Sequence, residues 1–418
     1  MTRRDLLSAS TAILTTACAL PADPENEGSP ANETFWLRVR EQFPIDPNVI
    51  QLNNAAIGSS PRQVLDAVRR YGDMLASQPS HAYYDEQEDY VERVRVQLAE
   101  FFGCSSEELA VTRNASEGLA NVIFGLELKS GDEVLTTTQD YPAVLDCLRQ
   151  RAARDGIVVK AQRLPIPPDS EDQLVAELEA RFTPRIKLLI VSHMTYATGQ
   201  IFPIKRLCDS ARARGILTLV DGAQSFGHIP FQSGDLGCDF FAASLHKYFC
   251  APLGTGFLYI RRDRIETVWP LMAASPGLRG SIRKFDGLGP GTVPVYLRNA
   301  IPEAIRFHAT LPVAQKSERL RYLRRRWTAV LKGVPGVRLL TPDDPTLSCG
   351  TATFVPGTCN VPRFVQVLQR EFQIQVRARA LPGEFIGVRV SPNVFTSAAE
   401  IDKFVEAAKA VIPRGERL

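Results

Sequence analysis

The sequence predicts an α/β protein, with a large domain built on one twisted, mostly parallel sheet and a smaller C-terminal α/β domain behind it. Three observations carry this expectation. Helical stretches alternate with short β-branched runs after the N-terminal region, as a parallel sheet with crossover helices requires. The runs DEVLTTT, GIVVK, IKLLIVS, GILTLVD, CDFFAAS and GFLYI are separated by helical segments or by loops rich in Gly and Pro, and read as one sheet. A long helical pattern from about Asn299 to Val330, disturbed by Pro302 and Pro312, then leads into fresh strand-like runs at CGTATFV, IQVRA and FIGVRV.

Taken in order, residues 1–32 divide into an export signal and a linker. A basic pair, a short apolar run and small residues near Ala17 and Ala19 have the layout of a signal peptide. Arg3 and Arg4, followed by Asp5, Leu6 and Leu7, resemble the twin-arginine signals that export proteins already folded around a cofactor. The expected location is therefore periplasmic, with a cytoplasmic protein carrying an ordinary basic N-terminus as the alternative. Cys18 as a lipid acceptor is disfavoured because Thr15 stands where leucine is usual. Residues 33–300 are assigned to the large domain, its N-terminal segment packing on the small one, and residues 301–418 to the small domain. Ser60-Pro61 predicts a helix start in cap-then-Pro order, and a second helical pattern from about Asp85 ends at Phe101-Phe102-Gly103.

Composition excludes more than it identifies. A chain of 418 residues with 44% hydrophobic and 23% charged residues is ordinary globular material. A net charge of +3, with Arg324, Arg325 and Arg326 in a helix-like stretch, gives nucleic-acid binding little support. No later stretch approaches the ~18 uninterrupted apolar residues of a membrane span. The eight cysteines show no metal-binding or redox spacing, which predicts buried, inert thiols and no metal.

The chemistry lies at two strand ends. GILTLVDGAQSFG places Asp221 just past an apolar strand, and CDFFAASLHKYF places Lys247 after the next. Ligands of open α/β sheets sit outside the carboxyl ends of the strands, so both side chains face one crevice. The cofactor pyridoxal 5'-phosphate (PLP) needs an amine for its Schiff base and a carboxylate against its pyridine nitrogen. Lys247 and Asp221 supply that pair. The phosphate belongs at a helix start, where free N–H groups and the dipole favour an anion. In VTRNASEGLANVIFGL, Ala115 and Ser116 fit that place, with Ser244 and His246 approaching from beside the lysine. Ser116 can equally be a simple N-cap.

With these residues in place, the chain resembles the class V aminotransferase family of fold-type I PLP enzymes, and within it the isopenicillin N epimerase-like branch. The resemblance rests on QLNNAAIG, TRNASEG, TTTQDYPA, LVDGAQSFGH, SLHKYFCAPLGTGF, GPGT and GVRVSPN, in the family's order. It implies a seven-stranded-type sheet and a set of roles. Tyr141 stacks on the cofactor ring and Ala223 packs beneath it. Asp221 partners the ring nitrogen, Gln224 hydrogen-bonds the ring hydroxyl or the Schiff-base region, and Lys247 carries the cofactor. Thr292 of GPGT reaches the phosphate of a neighbouring subunit, which implies a homodimer with shared active sites. Arg389 clamps a substrate carboxylate, and Asn54 lines the pocket.

Two departures from the family pattern bear on the reaction. After IKLLIVS the chain reads HMTYATG where Asn or Ser is usual, so Thr195 or Tyr196 stands near the ring hydroxyl. QVRARALPGEFIGVRV lacks the catalytic cysteine of desulfurase relatives, which argues against sulfur transfer from cysteine. The resemblance implies an enzyme acting at the α-carbon of an amino acid or amino-acid moiety, by epimerisation or transamination, and the expected export points to periplasmic tailoring of a peptide or secondary metabolite. A carbon-sulfur lyase is the alternative. A PLP-sensing regulator would carry a DNA-binding helical module ahead of this domain, where this chain shows only the short export-like segment.

Overall fold

The computed structural model describes residues 28–85, 87–286 and 291–417; the expected export segment and the Gly-Pro half of GPGT lie outside these. Thirteen strands are present among the described residues: β1 Ile50–Gln51, β2 Leu109–Thr112, β3 Glu133–Thr137, β4 Val158–Gln162, β5 Ile186–Ser192, β6 Leu217–Asp221, β7 Phe240–Ser244, β8 Gly256–Ile260, β9 Val337–Leu339, β10 Ala352–Pro356, β11 Ile374–Gln375, β12 Arg377–Leu381 and β13 Phe385–Val390. Seven form the large sheet in the order β2-β8-β7-β6-β5-β3-β4. Only β8 runs against its neighbours β7 and β2; the β3, β4, β5, β6 and β7 pairings are parallel.

Apolar runs form these strands because both faces of the sheet are covered. Along β5, Leu189 and Val191 pack into one cluster with the helices Gln87–Phe102, Glu171–Glu179 and Ile204–Arg212. Leu188 and Ile190 pack into the other cluster, with the helices Ala115–Gly125 and Pro142–Asp155. The six strand-like runs of the sequence are all strands. The seventh, β2, went unread because LAVT is too short to show a period.

Packing leaves no slack where β6 ends. Phe241 is fully buried and stacks on Phe102 at 4.9 Å. A Cβ on Gly222 would lie 1.9 Å from Phe241 Cζ. Gly222→Ala should therefore destabilise the protein by about 3 kcal/mol, at the upper end of overpacking costs. Urea unfolding measures this, and a change under ~0.5 kcal/mol would show that the ring yields.

The smaller domain carries a four-stranded antiparallel sheet, β12-β13-β10-β9. One face packs Ala352, Phe354, Val388 and Val390 against Trp327 and Phe404. The long helical pattern before it divides into Val295–Asn299, Ile301–Thr310 and Val313–Leu331, because Pro302 opens the second helix and Pro312 caps the third. IQVRA likewise divides between β11 and β12. The N-terminal segment lies against this domain: β1 pairs in parallel with β11, and Arg40 forms a 2.9 Å ion pair with Glu400.

One helix start differs from its expected form. Pro61 itself is the N-cap of Arg62–Ser77, while the Ser60 hydroxyl donates to the Ala251 carbonyl at 3.0 Å and makes no cap. Among the described residues, no helix is long and apolar enough to cross a membrane.

Candidate active site

Strand direction assembles the site. β2, β3, β5, β6 and β7 all point the same way, so their carboxyl ends share one edge of the sheet. Asp221 ends β6, and Ser244 ends β7 with His246 and Lys247 directly after it. Tyr141 precedes the helix that follows β3, and Ala115 begins the helix that follows β2. Four separate stretches of chain thus deliver side chains to one crevice.

At the β2–β7 side, the Ala115 N–H donates to Ser244 Oγ at 3.0 Å, joining the helix start to the strand end. Asn114 caps this helix, its Oδ1 accepting from the Glu117 N–H at 2.9 Å. Ser116 is therefore not the cap. It lies exposed in the first helical turn, with no hydrogen-bond partner for its hydroxyl among the described residues.

Asp221 is buried, and its Oδ1 accepts from the Ala223 N–H at 2.8 Å. Gln224 donates to the Ala55 carbonyl at 2.8 Å, leaving its buried Oε1 without a partner. His246 Nδ1 is buried and unpartnered as well. The Lys247 amine lies 5.9 Å from the centroid of the Tyr141 ring, which stays 40% exposed and so open to a ligand.

The sequence did not single out Asp140, which ties two of these strand ends together. Its Oδ1 accepts from the Ser192 N–H and hydroxyl, and its Oδ2 from the Thr136 and Thr137 hydroxyls and the Thr137 N–H, all within 2.9 Å. Only the paired geometry of β3 and β5 reveals that role.

Burial sets the protonation states. It pushes the Asp221 carboxyl up from 3.8 to about 6, against the pull of Lys247 and the Ala223 N–H. Burial likewise pulls the Lys247 amine down from 10.5 to about 8, with Asp221 opposing and Arg389 and Arg379 assisting. His193 and His246 are held down to about 3 and about 4 by burial, so both are neutral at pH 7.

These shifts fix a pH dependence for the cofactor-free protein. The folded state holds the Asp221 proton more tightly than the unfolded state, so stability falls as pH rises from 3.8 to about 6, by about 3 kcal/mol. It releases the Lys247 proton more readily, so stability is regained as pH rises from about 8 to 10.5. The pair should make the cofactor-free protein least stable between those windows, visible as a minimum in melting temperature. Asp221→Asn should remove the acid limb; an unchanged acid slope would assign it to another group.

On the substrate side, Arg389 is fully buried on β13. It donates to the Tyr196 carbonyl at 2.6 Å and to Asn53 Oδ1 at 2.9 Å. The asparagine touching it is thus Asn53, the neighbour of the expected pocket residue Asn54. The Asn54 amide is spent on the Gln51 and Ser391 carbonyls, because Asn53, not Asn54, bridges in parallel to Ser391. Thr195 turns inward to Thr198 Oγ1 at 2.7 Å, whereas the Tyr196 ring meets Tyr141 edge-on at 5.3 Å. Of the two, Tyr196 faces the site. Thr292 is exposed; its neighbour Val293 donates to the Tyr83 hydroxyl at 2.9 Å, and no hydrogen bond joins Thr292 to Ser116, Ser244 or Lys247 among the described residues.

These residues fit PLP. The free buried acceptor of Gln224, a carboxylate with one oxygen uncommitted, a lysine amine and a helix start bearing an unspent hydroxyl match its hydroxyl, ring nitrogen, aldehyde and phosphate in kind. Fold and site together define a fold-type I PLP-dependent enzyme. Residues 50–404 match the family model described as aminotransferase class-V, and the chain belongs to that family. Isopenicillin N epimerase of Streptomyces clavuligerus is 31% identical over 393 residues, 90% of this chain and 98% of that protein. A probable cysteine desulfurase of Synechocystis sp. is 31% identical over 245 residues, 56% of this chain and 57% of its own. Among solved structures, a complex of the cystine C-S lyase C-DES with its reaction product cysteine persulfide has a TM-score of 0.78 and 25% identity, covering 88% of this chain and 99% of that one.

Proposed function

We propose that this PLP enzyme labilises the α-C–H bond of an amino acid or amino-acid moiety, leading to epimerisation or transamination. The observation that carries this is a lysine amine held close to neutral titration, within electrostatic reach of a buried arginine that has no carboxylate of its own. PLP, when bound, would supply an aldehyde for the substrate amino group and an electron sink for the pair left at carbon.

Everything else falls to the protein. Asp221, held by the Ala223 N–H, presents a carboxylate to the ring nitrogen. Gln224 offers its free oxygen to the ring hydroxyl, Ser116 and Ser244 line the phosphate end, and Tyr141 and Ala223 enclose the ring. Arg389 orients the substrate carboxylate through its planar fork. The Lys247 amine takes the α-proton, and its lowered pKa leaves a useful fraction unprotonated at pH 7 to 8. Incubation of holoenzyme with L- and D-amino acids in deuterium oxide should give α-proton exchange; no exchange with any amine sinks the proposal.

A second reading, carbon-sulfur bond cleavage, draws on the likeness to the cystine C-S lyase. Release of pyruvate and ammonia from cystine or a cysteine conjugate would establish it. Transfer of sulfur to a protein thiol has less support: the β12–β13 turn carries no cysteine, and burial pushes the Cys104 and Cys208 thiols up to about 12.

The exposed Thr292 supports a homodimer that completes each site with a partner residue, which solution mass and a Thr292→Ala cofactor titration would test. Export remains part of the proposal, resting on the Arg3-Arg4 segment. Fractionation of cells making the full chain tests it, and recovery solely from the cytoplasm would overturn it.

A further inference from the structure

The register of β12 on β13 sets Arg377 opposite Arg389 and Arg379 opposite Gly387. Directly opposed residues share a face and alternate residues along a strand return to it, so all three arginines lie on one face of the small sheet. It is the face that Thr353 and Phe385 share, turned toward Tyr196 and Ala197 of the large domain.

Two of the other fully buried arginines are ion-paired, whereas Arg298 and Arg324 spend their guanidinium groups on backbone carbonyls. Arg95 reaches Asp286 at 2.7 Å, and Arg319 pairs with Glu33. On the site face, none of the three arginines has a carboxylate within ion-pair distance among the described residues. The charged and phenolic groups acting on Arg379 are Arg377, Tyr196 and Tyr141, and those acting on Arg389 are Arg379, Tyr248, Tyr196 and Arg377. Arg379 makes no hydrogen bond among the described residues, and its Nε is buried without a partner, as is that of Arg389. Its guanidinium lies 5.7 Å from the Tyr196 ring centroid. Arg389 is fully buried and Arg379 half-buried, so their uncompensated guanidinium groups cost stability that a bound anion offsets, whereas Arg377 is exposed to solvent.

The phosphate end of the site does not supply that anion. Ser244 and Ala115 stand at the β2–β7 side, whereas Arg379 adjoins Tyr196 and Tyr141, which follow β5 and β3. Two strand spacings, roughly 10 Å, separate β7 from β5. One substrate carboxylate on Arg389 still leaves Arg379 unmatched.

We infer that the substrate is an amino dicarboxylate, free or as the end of a larger molecule, with one carboxylate on Arg389 and the second on Arg379. This rests on the amine chemistry proposed above. Diagonal neighbours across a strand pair sit roughly 7–8 Å apart at Cα, a span that a linear dicarboxylate of about four to six carbons can bridge. Arg377 sits beside both, strengthening the local field.

The test is a titration of holoenzyme, read by the change in its visible absorption. Aspartate, glutamate and 2-aminoadipate, in both enantiomers, are each compared with the amino acid bearing a methyl group in place of the distal carboxylate. At least one dicarboxylate should bind about 10- to 100-fold more tightly than its methyl partner, as a charge-assisted pair predicts. Arg379→Gln should shrink that preference to about threefold or less, while the visible band of the unliganded holoenzyme persists.

Equal binding within every pair of the wild type overturns the inference, and so does a preference that survives Arg379→Gln. If Arg379→Gln fails to fold, the more exposed Arg377→Gln takes its place, and an undiminished preference there overturns the inference too. If no amino acid of either kind perturbs the band, the proposed amine chemistry has failed, which is a different result.

Discussion

Replacing Lys247 with alanine is expected to abolish the visible absorption of the holoenzyme and to lower α-proton exchange by at least about 10³-fold. Both losses have one cause: a methyl group can neither hold the cofactor aldehyde nor accept a proton. The fold should survive, because Lys247 lies in the turn after β7 and its amine donates no hydrogen bond among the described residues. Relieved of a cation that burial disfavours, the cofactor-free variant should be no less stable than the wild type at pH 7. Absorption spectra and exchange rates on refolding-competent protein check this. A variant that keeps the band would move the cofactor to another amine, and the fully buried Lys316, already donating to the Tyr248 carbonyl at 2.6 Å, could not take that part without losing its bond.

Asp221→Asn should retain shape and lose charge, with exchange falling about 10²- to 10³-fold while cofactor remains bound. The amide oxygen can still accept from the Ala223 N–H, so the turn holding Gln224 stays in place. What disappears is the negative charge that, on the proposed placement, would keep the ring nitrogen protonated and let the ring draw electrons from the substrate carbon. In the wild type that charge is costly without a cation above it, which is why burial lifts the carboxyl to about 6 in the cofactor-free chain. A bound cationic ring reverses the sign of that interaction and should drive the carboxyl back down. The same variant that cripples exchange should therefore stabilise the cofactor-free protein above pH 6. Exchange within about threefold of wild type would remove Asp221 from the ring nitrogen.

Much of this was legible in the sequence because it is local. Apolar runs with both faces covered mark parallel strands whatever they pair with, and a polar residue at the end of such a run must emerge at the sheet edge. Asp221, Ser244 and Lys247 could thus be placed before any pairing was known. Short strands such as β1, β2 and β9 could not, because two to four residues carry no period. The Ser60 cap failed for a related reason: the tertiary partner Ala251 offered that hydroxyl a better bond than the helix did.

Other features belong to tertiary structure alone. The contact of Asn53 with Arg389 accompanies its bridge to Ser391, and the saturation of Asp140 follows from the pairing of β3 with β5. The sequence by itself determined which residues can perform PLP chemistry, since an amine and a carboxylate after adjacent apolar runs are a matter of composition and spacing. Only the tertiary structure decided that Arg377, Arg379 and Arg389 share one face without a carboxylate among them. Charge balance is a property of neighbours in space: the short β12–β13 hairpin aligns the three arginines locally, but only the packing of this sheet against Tyr196 and Tyr141 of the large domain decides that no carboxylate faces them.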